Sequence, residues 1–139
     1  MQAIDGTTDM LRYVFRYKYS ILITILIALL CLIPSSSIPH TSLFSIPYFD
    51  KFVHFSMYAP LSFVALMESR ITRRYSRYHL YIMILIFILG GVIELLQAFV
   101  VTSRAAEWTD MLANLTGLLT GYLAFRLLGG FRIFRFLKF

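Results

Sequence analysis

Glu94 lies deep in an almost wholly apolar run, Leu80 to Val101, with Gln97 one helical turn further on. A carboxylate at that depth is costly in hydrocarbon, so it is normally turned inward and partnered. Two other stretches carry groups that could share its chemistry. Asp50, Lys51 and His54 stand at the start of a second apolar run, and Asp110 and Asn114 stand at the start of another, with Arg104 just before it. Glu94, His54 and Asp110 are the candidate acid–base groups, because a buried carboxylate beside an imidazole can pass protons. Arg104 and Lys51 are candidates to hold a phosphate or carboxylate, Arg104 with the better hydrogen-bonding fork. Asp50, Gln97 and Asn114 complete the candidate binding set. Asp50 and His54 at i, i+4, together with Glu94, could also take a divalent ion. That spacing is nonspecific and no HExxH-like motif is present, so neither a metal nor a cofactor is expected.

The bland readings are equally concrete. Gln97 and Asn114 can simply join helices by hydrogen bonds, Asp110 can cap the helix it opens, and Arg104 with Glu107 can be a solvated loop pair. Trp108 suits a membrane-interface anchor. His40 and His79 read as exposed link residues. No nucleotide-binding loop, serine elbow or paired-cysteine site occurs. Cys31, the single cysteine, lies within an apolar run and reads as a small hydrophobe.

The elements that must position these groups follow from composition. The chain has 139 residues, 59% apolar and only 14% charged. With a mean hydropathy of +0.75 it reads as one integral membrane domain. The net charge of +6 does not point to nucleic acid, because the basic residues occupy short links and tails between apolar runs. Residues 1–18 form a basic and aromatic interfacial segment, 19–128 the membrane domain, and 129–139 a basic and aromatic tail suited to lipid headgroups. Four spans are expected: Tyr19 to Ile33, Phe52 to Met67 with Pro60 kinking it, Leu80 to Val101, and Met111 to Leu128. Pro34, Pro39 and Pro47 with Ser35 to Ser37 make the first link, and Glu68 to His79 a hydrophilic one.

The fold class is therefore an all-α bundle of four transmembrane helices. Arg12, Arg16 and Lys18 precede the first span, Arg70, Arg73, Arg74 and Arg77 separate the second from the third, and Arg126, Arg132, Arg135 and Lys138 close the chain. Only Lys51 and Arg104 fall in the other two links, which puts both termini in the cytoplasm. At ~1.5 Å per residue, Glu94 then lies roughly 10 Å from the outward end of its helix, with His54 and Asn114 about 5 Å in from theirs. The three polar sets share a level. They also share faces: Asp110, Asn114, Gly117 and Gly121 fall in one stripe, Gly90, Glu94 and Gln97 in another, and Asp50, His54, Tyr58 and Leu61 in a third. Ala113, Gly117 and Gly121 form a small-residue series that lets a neighbouring helix come close.

The ordered set Asp50-Lys51-x-x-His54-Phe55-x-x-Tyr58, Gly91-x-x-Glu94-x-x-Gln97, Arg104, and Asp110-x-x-x-Asn114-x-x-Gly117-x-x-x-Gly121 resembles the VanZ-like membrane protein family. The resemblance runs from Asp50 to about Leu128, and the first span fits the family's four-helix layout. It implies a bacterial envelope protein, with Asp50, Lys51, His54, Glu94, Gln97, Arg104, Asp110 and Asn114 as the family's signature polar positions. The family's namesake is associated with resistance to the glycopeptide teicoplanin, and no agreed catalytic role comes with the resemblance. The expected function is an outward-facing pocket of the cytoplasmic membrane that binds a membrane lipid headgroup or lipid-linked cell-wall precursor. The alternative is a scaffold whose polar cluster only fixes helix packing, and a small proton-coupled transporter stands third.

Overall fold

The computed structural model describes residues 6–33, 46–69, 76–100 and 107–128, and these are helical almost throughout. Five helices follow in order: α1 Gly6–Arg16, α2 Lys18–Leu32, α3 Phe49–Glu68, α4 Ser76–Val100 and α5 Trp108–Leu128. Pro34, Pro39 and His40, most of the basic link with Arg70, Arg73 and Arg74, Arg104, and the 129–139 tail lie outside the described residues.

Apolar side chains cover much of the outer surface. Leu85, Ile88, Leu95 and Phe99 of α4 and Leu22 and Leu29 of α2 are all more than half exposed, an apolar surface that suits lipid rather than water. Among the described residues, α4 over Arg77–Phe99 and α5 over Trp108–Leu128 are long and apolar enough to cross a membrane. The segments Met10–Arg16 and Lys18–Leu32 qualify only as a pair, bent by 74° where they meet at Tyr17. The count is thus two, or three with that bent pair taken as one span. α3 has the length but not the hydropathy, because Asp50, Lys51 and His54 and three serine or proline positions interrupt its apolar residues. It continues as one helix through Pro60.

α3 sits at the centre. It makes its most extensive contact with α5, and α2 and α4 pack beside that pair. The close approach is set by glycine. A Cβ on Gly117 would stand 2.6 Å from the carbonyl oxygen of Phe55, and one on Gly121 closer still to that of Ala59. Between them, the Ser62 hydroxyl donates to the Leu118 carbonyl at 2.8 Å. Ile27, Cys31, Tyr58, Leu61, Ala65, Ile86, Ile93 and Leu118 form the main apolar core, so all four longer helices contribute to it.

Two positions expected in an exposed polar link are buried. Glu68 is the last residue of α3 and only 4% exposed. Its carboxylate accepts backbone N–H groups of Tyr19 and Ser20 at 3.0 Å each, and the Ser20 hydroxyl as well. These amides open α2, whose preceding residue Tyr17 supplies no side-chain cap. A carboxylate on another helix therefore satisfies the first-turn donors and complements the helix dipole. His79 lies within the first turn of α4 rather than in a link. It is 4% exposed, packed edge-on to Phe125 at 5.2 Å, and neither ring nitrogen has a hydrogen-bond partner among the described residues. Both residues prolong buried helical stripes: Glu68 continues His54, Tyr58, Leu61 and Ala65, and His79 precedes Ile86, Gly90 and Glu94.

Replacing Gly121 by Val should force α3 and α5 apart and cost about 1–3 kcal/mol or more in thermal unfolding of the detergent-solubilised protein. Gly91→Ala is the control: its Cβ would meet only the Met111 side chain at 3.5 Å, so helicity and Tm should hold. Glu68→Ala should remove the acceptor that the Tyr19 and Ser20 amides share, costing about 1–3 kcal/mol. Hydrogen exchange would show this as faster exchange at the start of α2 than in α4.

Candidate functional site

Each of the three sequence stripes faces the interior, and their polar members meet at the end of the bundle where α3 and α5 begin and α4 ends. His54 projects from the second turn of α3, Asn114 from the second turn of α5 and Glu94 from the last two turns of α4. His54 Nδ1 lies 3.1 Å from Asn114 Oδ1 and 3.2 Å from Glu94 Oε1, and Asn114 Nδ2 donates to the same Glu94 oxygen at 3.4 Å. Exposure is 4% for His54, 5% for Glu94 and 1% for Asn114. Gln97, one turn beyond Glu94, is also buried. An imidazole held this way by a carboxylate and an amide has a fixed ring orientation, which general acid–base work requires. Tyr58 lies one turn below His54, and its ring occupies the space that the absent side chain of Gly90 leaves.

Beside this trio lies a second group centred on Lys51. Its ammonium is 2.5 Å from Asp50 Oδ2, 2.5 Å from Glu107 Oε2 and 2.9 Å from Asp110 Oδ1. The Asp110 contact is an ion pair approached obliquely, and that oxygen makes no directed hydrogen bond. Burial works against the charge on Lys51, but the three carboxylates outweigh it and hold the ammonium well above the usual lysine range. Asp50 shows the mirror image: burial pushes its carboxyl up, and the hydrogen bonds from Lys51 bring it below the ordinary value. Glu107 is held low by the hydrogen bonds that Lys51 and Thr109 donate.

Several expectations change in detail. Asp110 is not the residue that caps α5. The helix begins at Trp108, the Asp110 backbone N–H donates to the Glu107 carbonyl at 3.0 Å, and the side chain turns to Lys51. Glu107, expected to pair with Arg104 in its own loop, pairs with Lys51 across to α3. Arg104 lies outside the described residues. Its pairing across the loop was suggested by proximity in sequence, whereas the Lys51 contact spans 56 positions and left no local signal.

His54, Glu94 and Asp110 each bring one ligand-type atom within 4.8 Å of the others, as do Asp50, Glu107 and Asp110. In the second group the Lys51 ammonium already occupies the place of a cation. The first group offers one imidazole nitrogen and two carboxylate oxygens, a donor set that suits a divalent ion.

A family model described as VanZ/LLP1 matches residues 17–129, which takes in α2 to α5. No curated protein and no solved structure matches the chain.

The Lys51 group should give the fold a measurable pH response. Asp50 and Glu107 are held below their ordinary values of 3.8 and 4.5, so their contribution is complete above those values and is lost as acid titrates them. Lys51 is held above 10.5, so its contribution is complete below that value and is lost only in stronger base. The contribution of this group to thermal stability should therefore be constant from about pH 5 to 10 and fall below that window. Lys51→Met should reverse the acid limb. Three carboxylates without their cation destabilise the neutral protein, and mild acid should restore part of its Tm.

Proposed function

The chain belongs to the VanZ-like family, and from that membership we propose that it is a multi-pass protein of the bacterial cytoplasmic membrane whose polar pocket binds a lipid headgroup or lipid-linked cell-wall precursor. The observation that carries this reading is the convergence of His54, Glu94 and Asn114. Three buried polar side chains from three helices meet within hydrogen-bonding distance at one end of a bundle whose outer surface is apolar. Polar groups buried inside a membrane domain are retained at a cost, which makes such a cluster a functional site by default.

In this reading α2, α3, α4 and α5 all span. α3 is admitted despite its polar residues because its centre is covered by α5, α2 and α4 rather than by lipid. The distribution of lysine and arginine supports both termini in the cytoplasm and the pocket on the outward side, where envelope precursors are exposed. His54, Glu94 and Asp110 are the acid–base members. Asp50, Lys51, Gln97, Arg104 and Asn114 line the binding side, and a link to teicoplanin resistance comes with the family.

The second reading, a scaffold without a ligand, is favoured by one feature: the trio is closed on itself, each member already bonded to another. Native mass spectrometry of the gently purified protein separates the two. A phosphorylated lipid or peptide precursor should travel with the wild type and be lost from Glu94→Gln and Arg104→Ala while helicity is unchanged. If every sample is ligand-free and both variants lose thermal stability instead, the cluster is structural and the pocket reading fails.

A further inference from the structure

A cavity of about 610 Å³ opens between α4 and α5 beside the polar cluster. Its walls are Phe87, Ile88, Leu95, Trp108 and Met111, and the bare backbone of Gly91 lies among them. Among the described residues, the polar ones that line it are Glu94 and Glu107, and both belong to the site described above. The size falls in the ~300–1,000 Å³ range of small-molecule sites. Ile88, Leu95 and Trp108 are themselves exposed, so the groove opens sideways through the apolar face of the bundle.

These features select an occupant. Water gains nothing from walls of this kind, whereas a hydrocarbon chain arriving through the apolar face matches them. Glu94 and Glu107 carry carboxylates, which accept hydrogen bonds and do not donate them. Lys51, the lysine nearby, already faces three carboxylates, those of Asp50, Glu107 and Asp110. The described part of the site is therefore matched to a head that donates, a hydroxyl or an amine, better than to one that offers only phosphate oxygens.

We propose that the α4–α5 groove holds one hydrocarbon chain of a membrane lipid whose headgroup donates hydrogen bonds to the carboxylates at its polar end. This rests on the pocket reading and names the substrate class for it: an amphiphile with a hydroxyl- or amine-rich head. Gly91 is the access point. A Cβ there meets only Met111 Cε at 3.5 Å and Sδ at 3.9 Å, so a larger side chain grows into the groove without striking backbone.

The chain carries its own reporter, because Trp108 is the only tryptophan. The full-length protein in nanodiscs is titrated with two lipids that share one brominated acyl chain. One has a glucosyl head with hydroxyl donors, the other a phosphocholine head with none. Trp108 fluorescence should be quenched saturably by the glucolipid at low mole fraction, and by the phosphocholine lipid only in proportion to its mole fraction. Gly91→Phe, or Gly91→Leu if the larger residue fails to fold, should weaken the saturable phase at least about tenfold with helicity retained. Glu94→Gln should keep a saturable phase but lose the preference for the glucolipid. Quenching that is proportional for both lipids in the wild type, or a saturable phase that Gly91→Phe and Gly91→Leu leave unchanged, overturns the groove. Saturable quenching that Gly91→Phe abolishes but that is indifferent to head chemistry, and to Glu94→Gln, overturns the headgroup half. That result would fault the pocket reading and leave the chain site standing.

Discussion

The contact between α3 and α5 is what everything else depends on. Two helices can approach until backbone meets backbone only where side chains are absent, and Gly117 and Gly121 supply that absence opposite Phe55 and Ala59. At this separation short side chains bridge the gap. Ser62 reaches the Leu118 carbonyl, and about one turn away along α5 Asn114 reaches His54. A wider spacing would need longer and floppier residues, and the imidazole would lose its fixed orientation. The same closeness explains why the least apolar long helix occupies the middle: covered by its neighbours, α3 can carry residues that a lipid-facing helix cannot.

Carboxylates are stabilised in three different ways along this bundle. Glu68 accepts the amides that open α2, so the partial charge of a helix end stands in for a cation. Asp50, Glu107 and Asp110 share one ammonium. Glu94 is bonded to an imidazole and an amide. The first two arrangements satisfy their groups with fixed internal partners. The third uses groups that can change proton or partner, which is why the trio at His54 is the chemically adaptable part of the site.

Much of this was legible in the sequence. The helical stripes of α3, α4 and α5 face inward as their spacing required, because burying polar and small residues on one face leaves only one rotation for each helix. The glycine series likewise announced a close approach. Other features were hidden for identifiable reasons. Glu68 and His79 follow or precede basic link residues, and their local surroundings look hydrophilic; only continuing the stripes by another turn would have revealed them. The Lys51 cluster depends on which of several acidic residues ends up opposite α3, and that is decided by helix register in three dimensions. Asp110 looked like a cap because aspartate favours that position, yet the ammonium across the gap offers a stronger partner than its own helix start.

The order in which the chain is made gives the site a history. His54 precedes its partner Asn114 by 60 residues. At ~5–20 residues per second, roughly 3–12 seconds separate the synthesis of the two. Throughout that interval α3 carries an imidazole without Asn114 and a lysine that can find only its neighbour Asp50. A helix in that condition is a poor candidate for a lipid-facing position before α5 arrives. Completing the bundle and completing the site are then one event. Substitutions at the α3–α5 seam should accordingly show themselves in the cell as missing protein, cleared before assembly, more often than as folded protein with a damaged pocket.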